Sequence, residues 1–226
     1  MSIGDNYRRL RREVPGHVTI VLAAKTRTPQ EVLEALEAGA TDIGENYVQE
    51  AGHLYTALGE KARSVTWHMI GELQKNKINR ALQVFDVIQT VDSLEKAEAI
   101  NSRAERAGTL LKVYVEVNIG SEPSKSGVVP GSDAVESLVE NITQLRHLSI
   151  DGIMTMGPLT GDPENSRPYF REARKIFDRI NARGLPGVSL TTLSMGMSNS
   201  YRVAIEEGAT MIRLGTIVFG TRRRQA

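Results

Sequence analysis

The chain has 226 residues, 40% of them hydrophobic and 24% charged, which is the profile of an ordinary soluble globular protein and not of a disordered one. Its 28 basic and 27 acidic residues leave a formal charge of +1, which argues against charge-driven nucleic-acid binding. Cysteine is absent, excluding disulfides, a thiolate metal site and a cysteine nucleophile.

The first sixteen residues are charged and lack the apolar core of a signal peptide. No apolar run approaches the roughly 18 residues that span a bilayer, so a cytoplasmic protein without membrane contact is expected. From residue 18 onward, short β-branched runs alternate with amphipathic stretches. An extra helix over residues 6–13 precedes the first strand, 18–23, an unbroken apolar run of the kind buried on both faces. Thr28-Pro29-Gln30-Glu31 then has capping-box spacing with proline at the first helical position, and Gly39 ends that helix. A weak strand at 41–43 leads into a helix over 47–58, stopped by Gly59. Residues 65–70 read as strand and 73–82 as helix, followed by a fourth strand over 84–91. Asp92 and Glu95 frame the start of a helix running to Gly108. The fifth strand is 111–118; after a loop, a helix carries Val135, Leu138, Val139, Ile142 and Leu145. Residues 149–154 form the sixth strand, and a long helix starting at Asp162-Pro163 ends at Gly184. The seventh strand is 188–193, with a short helix over 199–206, and the eighth is 210–214. Eight strands alternating with helices in this length predict an α/β fold, a single (β/α)8 TIM barrel domain spanning 1–226. An open doubly wound sheet is the alternative, but such sheets rarely need eight strands.

In such a barrel the strand C-termini form the active face, and the chemically unusual residues cluster there. They are Lys25, Glu45-Asn46, His68 with Gly71, Asn118, Met154 to Gly157, Ser194 to Ser198, and Gly215-Thr216. Lys25 follows a six-residue apolar strand; it is either an amine held at the rim of the bore, where burial favours the carbonyl-attacking neutral form, or a lysine snorkelling to solvent. The 194–198 loop and Gly215-Thr216 occupy the places after strands seven and eight where barrels hold phosphate; as the alternative they are merely two tight turns. Alternation turns Arg213 to the same face as Met211, into the barrel, where it must meet either a ligand or a buried carboxylate. The four histidines show no metal spacing. Trp67 and the methionines read as core or pocket wall. The stretch 120–131 is either a mobile loop over the site or a surface connection. Arg222-Arg223-Arg224 is a solvated tail or a contact for an acidic partner.

Taken in order, Ala23-Ala24-Lys25-Thr26, Gly44-Glu45-Asn46-Tyr47, Trp67 to Gly71 followed by Leu73-Gln74-Lys75-Asn76-Lys77, Ser194-Met195-Gly196-Met197-Ser198 and Phe219-Gly220 resemble the pyridoxal-phosphate homeostasis proteins. This YggS/PROSC-type family is related to the N-terminal barrel of alanine racemase, and the resemblance runs from about residue 5 to 222. It implies a fold-type III barrel holding pyridoxal 5′-phosphate (PLP) as a Schiff base on Lys25. It further implies a phosphate cup of Ser194, Met197, Ser198, Gly215 and Thr216, with Ser198 as hydroxyl donor. Arg213 then faces the pyridine nitrogen, and Asn46 lines the cofactor cavity. The family usually has aspartate two residues beyond the last serine of the loop; here Ser200 stands there, and serine also caps helices.

Two functions fit the resemblance. One is a monomeric PLP carrier in intracellular PLP homeostasis, with apo-PLP enzymes as acceptors. The other is an amino-acid racemase. A racemase of this fold pairs its lysine with a tyrosine from a second domain of the partner subunit, and 226 residues leave no room for one, so the carrier is expected. A phosphosugar barrel enzyme would explain the cup but leave Lys25 idle.

Overall fold

Eight parallel strands close into a barrel in chain order, in a computed structural model that describes residues 2–221 apart from 132, 159, 160, 187 and 189. The strands are β1 (Thr19–Ala23), β2 (Asp42–Glu45), β3 (Thr66–Met69), β4 (Val87–Val91), β5 (Leu111–Val117), β6 (Leu148–Thr155), β7 (Thr192–Ser194) and β8 (Met211–Leu214). Pairing of β8 with β1, Val21 opposite Arg213, makes the closure. The helices are α1 (Ile3–Glu13), α2 (Pro29–Glu37), α3 (Val48–Leu58), α4 (Ile78–Ala81), α5 (Leu94–Ala107), α6 (Ala134–Ile142), α7 (Arg167–Ala182), α8 (Tyr201–Glu206) and α9 (Thr216–Phe219). Among the described residues, no helix is long and apolar enough to cross a membrane. The Arg222–Arg224 run lies outside the described residues.

Local chemistry explains where the elements begin. Thr28 and Glu31 form the expected reciprocal capping box ahead of α2. At α5 the cap is Ser93, whose side chain accepts from the Lys96 N–H, whereas Asp92 pairs with the Lys96 ammonium at 2.8 Å. Gly108 closes that helix in a left-handed conformation. The first helix begins earlier than expected because Ser2 caps it by accepting from the Asp5 N–H.

Alternation along the strands divides the apolar side chains in two. Leu22, Ile43, Trp67, Ile88, Ile153 and Ile212 belong to the core shared with the helices. Val21, Val87, Tyr114, Met154 and Met211 make a separate cluster filling the bore. Trp67 is therefore core, its indole N–H donating to the Ala62 carbonyl at 2.9 Å.

Several boundaries differ from the expectation. The 73–82 helix is a 3-10 turn, Lys75–Lys77, leading into the short α4, and Leu73 is buried ahead of it. The fourth strand starts at Val87, because Val84 and Phe85 still donate to the Ala81 carbonyl and the Asp86 carboxylate takes the Trp67 N–H. Strand β7 has only three residues, Thr192–Ser194; the expected strand also included Ser189, which lies outside the described residues. Strand β6 continues to Thr155, whose hydroxyl donates to the Val117 carbonyl. The terminal helix α9 has no counterpart in the expectation.

Candidate functional site

Lys25 stands two residues beyond the end of β1, and the backbone turns sharply there. The Arg27 N–H closes the turn on the Ala24 carbonyl at 2.9 Å, and Thr26 holds φ 64°. A left-handed conformation costs a β-branched residue free energy, so this turn is held by its surroundings rather than by local preference. The Glu50 carboxylate receives the Thr26 N–H at 3.4 Å, and Arg27 anchors to the carbonyls of Phe219 (3.2 Å) and Gly220 (2.6 Å). The turn after β1 is thereby tied to the end of α9.

The result is a cavity of about 440 Å³ lined by Lys25, Arg27, Met197, Ser198, Arg213 and Gly215-Thr216, among others. That volume lies within the usual small-molecule range of about 300–1,000 Å³. Ser198 accepts the Gly215 N–H at 3.3 Å, which joins the two loops and leaves the hydroxyl hydrogen to donate. Thr216 opens α9; the Val218 and Phe219 N–H groups close on the Gly215 carbonyl (3.0 and 2.9 Å), which leaves the N–H groups of Thr216 and Ile217 without a partner inside the helix. Ser200 precedes α8 but makes no cap bond into it; its hydroxyl accepts the Met197 N–H at 3.3 Å and so shapes the loop instead.

Arg213 turns into the bore as alternation predicts; it is buried at the cavity wall and, among the described residues, makes no salt bridge to a carboxylate. One nitrogen donates to Ser194 Oγ at 2.6 Å and another to the Thr155 carbonyl at 2.8 Å. Burial draws its pKa down to about 10 against the opposing effect of the Glu116 charge, so it stays a cation at neutral pH. Ser194, expected in the phosphate cup, is fully buried below it: it accepts from Arg213 and donates to Gln89 Oε1 at 2.8 Å. His68, expected at the active face, is likewise buried in the bore. The face at that point is made by Gly71, where a Cβ would fall 2.5 Å from the Asn46 carbonyl oxygen, so only glycine fits.

Asn46 does not share the wall of the Lys25 cavity. It lines an adjoining recess of about 210 Å³ with Glu72, Glu116, Asn118, Lys125 and Thr155, among others. The 120–131 stretch closes the far side of this recess and is tied down. Asn118 holds the carbonyls of Glu122 and Lys125, Val128 exchanges backbone bonds with Glu116 and Asn118, and the Lys125 ammonium reaches the Gly157 carbonyl at 3.0 Å.

Two carboxyl groups flank the site: Glu45, which the sequence places at a strand end beside Asn46, and Glu116, which sequence reasoning did not select. Glu116 is raised to about 7 by burial first and then by Asp92, against Lys96 and Arg213. Glu45 is raised to about 8 by burial and by Glu50, against the Asn46 N–H and Lys25, and its Oε2 is buried with no hydrogen-bond partner among the described residues. The signal for Glu116 and Gln89 was present, since each is a strongly polar residue inside a largely apolar strand. Thr26 and Arg27 carried no such signal. Among the described residues, no group of three His, Cys, Asp or Glu could hold a metal.

The family model of the alanine racemase N-terminal domain matches residues 2–223. The pyridoxal phosphate homeostasis protein of Aquifex aeolicus is 39% identical over 201 residues, covering 89% of this chain and 86% of that protein. That of Pasteurella multocida is 34% identical over 205 residues, covering 91% and 87%. Among solved structures, PipY of Synechococcus elongatus with PLP bound is 33% identical with a TM-score of 0.89, covering 97% of this chain and all of that one. An alanine racemase of Clostridium difficile matches at a TM-score of 0.83 over 96% of this chain and 56% of its own; at 15% identity it speaks for the fold alone. The chain therefore belongs to the alanine racemase N-terminal domain family and, within it, to the pyridoxal phosphate homeostasis proteins.

Proposed function

We propose that this chain binds PLP at Lys25 and serves PLP homeostasis, holding the cofactor reversibly and passing it to apo-PLP enzymes. The observation that carries this reading is the meeting of an amine, a buried cation and a phosphate-type cup in one cavity: Lys25, Arg213, and Ser198 with Gly215-Thr216. A phosphorylated pyridine aldehyde presents the three complementary groups. PLP supplies an aldehyde that a lysine amine captures reversibly. For its part, Lys25 offers the amine, Ser198 and the start of α9 offer donors to a phosphate, and Met197 forms apolar wall. Arg213 presents a cation to the ring nitrogen, which disfavours protonation there. The PLP-bound PipY structure, similar over its full length, supports the same ligand.

Racemisation requires an acid and a base on opposite faces of the substrate carbon. His68 and Tyr47, each in one of the motifs that carry the family resemblance, are the side chains to weigh as a second base. His68 is buried in the bore between Asp42 and Gln89, and Tyr47 is exposed beside α3. Neither lines the Lys25 cavity, which favours the carrier. A monomeric protein working in the cytoplasm completes the reading.

The test mixes PLP-loaded protein with an apo-PLP enzyme and follows recovery of that enzyme's activity. Recovery faster than with buffer is expected, together with no turnover of L-alanine above a Lys25→Ala control. Robust Lys25-dependent racemisation would overturn the carrier reading.

The cup can be tested separately. Ser198→Ala removes a hydroxyl donor to a charged oxygen, typically worth about 1.5–3 kcal/mol, or roughly tenfold or more in PLP retention. Pyridoxal lacking the phosphate should bind the variant and the parent equally in equilibrium dialysis. Equal losses for both ligands would remove Ser198 from the cup.

A further inference from the structure

Five polar side chains cross the bore in one unbroken line. Arg213 donates to Ser194 Oγ (2.6 Å), and the Ser194 hydroxyl donates to Gln89 Oε1 (2.8 Å). The Gln89 amide donates to His68 Nδ1 (2.9 Å), and His68 Nε2 lies 2.9 Å from Asp42 Oδ1. Arg213 and Asp42 fix the two ends, since a guanidinium only donates and a carboxylate only accepts. The Gln89 amide fixes the middle: with its NH2 group shared between His68 Nδ1 and Met211 Sδ and its oxygen accepting from Ser194, His68 Nδ1 accepts and the imidazole hydrogen sits on Nε2, toward Asp42.

The middle of the line has no freedom to reverse. The second Gln89 amide hydrogen points to Met211 Sδ at 3.2 Å, so turning the amide over would spoil three contacts at once. The other Asp42 oxygen is held by the Thr41 hydroxyl at 2.7 Å. Gln89, Ser194 and His68 are all at most 1% exposed, where an unmatched donor or acceptor is costly.

We propose that Gln89, His68 and Asp42 are positioning residues for the cofactor site: through Ser194 they hold the Arg213 guanidinium as an oriented donor at the wall of the Lys25 cavity. The inference rests on the PLP reading for its consequence, but not for the existence of the line. The consequence is electronic. With Ser194 committed to Gln89, Arg213 faces the ring as a fixed cation; with Gln89 removed, the Ser194 hydroxyl turns and the guanidinium can follow it.

The experiment has two arms. In cofactor-free protein, ¹⁵N NMR of His68 should show an unprotonated Nδ1 and a protonated Nε2. Hydrogen on Nδ1 overturns the directed line. In PLP-loaded protein, Gln89→Leu should shift the visible absorption maximum and weaken PLP retention about fivefold, the size of one buried hydrogen bond. Gln89→Glu still accepts from Ser194 and should restore the parent maximum, with His68 now protonated on both nitrogens between two carboxylates. Cooperative thermal unfolding confirms that each variant is folded; if Gln89→Leu fails to fold, Gln89→Met, which keeps the length of the side chain but not the amide, serves in its place with the same expected shift. A folded variant with unchanged maximum and retention overturns the positioning role while leaving the PLP reading intact. A parent protein that takes up no PLP overturns the PLP reading and with it the positioning role, while the NMR arm still decides the line.

Discussion

Lys25→Ala is expected to abolish the PLP adduct that borohydride fixes to the parent protein, with reversible PLP binding surviving in weakened form. The geometry makes the loss complete rather than partial, because the other nearby lysines are committed elsewhere. Lys125 is bound to Glu122 and the Gly157 carbonyl, Lys96 to Asp92, and Lys75 to Glu95. None of these lines the cavity that contains Ser198 and Gly215-Thr216. The residual binding comes from Arg213 and the cup, which the substitution leaves in place. Peptide mapping after reduction checks the assignment: the adduct should appear on Lys25, and a dominant adduct on Lys75, Lys77 or Lys125 would refute it. Lys25→Arg, which keeps the cation, controls for changes in folding and should be equally devoid of adduct.

Glu45→Gln is expected to stabilise the protein at alkaline pH and to leave it unchanged in acid. The folded-state pKa of Glu45 stands at about 8 against an ordinary 4.5, chiefly because burial penalises the charge. A pKa raised on folding means that the native state binds the proton more tightly than the unfolded chain. The contribution to stability is therefore full below pH 4.5 and is lost progressively as pH rises to about 8. Each unit of displacement is worth about 1.4 kcal/mol, so the neutral isostere should gain about 2–4 kcal/mol at pH 9, or roughly 4–16 °C in Tm for a chain of this length. Thermal unfolding of both proteins at pH 5 and pH 9 decides the matter. Glu116 imposes a slope of the same sign between 4.5 and about 7 in both proteins, so the difference between them isolates Glu45. A variant no more stable than the parent at pH 9 would mean that the buried carboxylate finds a partner.

The order of strands and helices was legible in the sequence because each unit carries its own signals. The apolar run before Lys25, the Thr28–Glu31 box and Gly108 each act within a few residues, and the structure retains all three. Legibility failed where an element is held from outside. The segment before α4 reads as helical by periodicity, yet Leu73 is buried ahead of it and Asp86 is drawn to the Trp67 N–H, so the helix is shortened at one end and the strand at the other.

The same division runs through the site. Sequence order alone brings Lys25, Ser198, Arg213 and Gly215-Thr216 to strand ends, because a closed parallel barrel gathers all such ends on one face. Which of those residues share a wall is a matter of shear and side-chain direction, and only the tertiary structure decides it. Asn46 ends a strand as Lys25 does but opens on the neighbouring recess, and Ser194 lies below the cup in the grip of Arg213 and Gln89. The line from Asp42 to Arg213 joins residues of β2, β3, β4, β7 and β8, up to 171 positions apart in sequence. Local sequence can place one polar side chain in the bore by alternation; it has no term for the partner waiting across the barrel, which exists only once β8 has paired with β1.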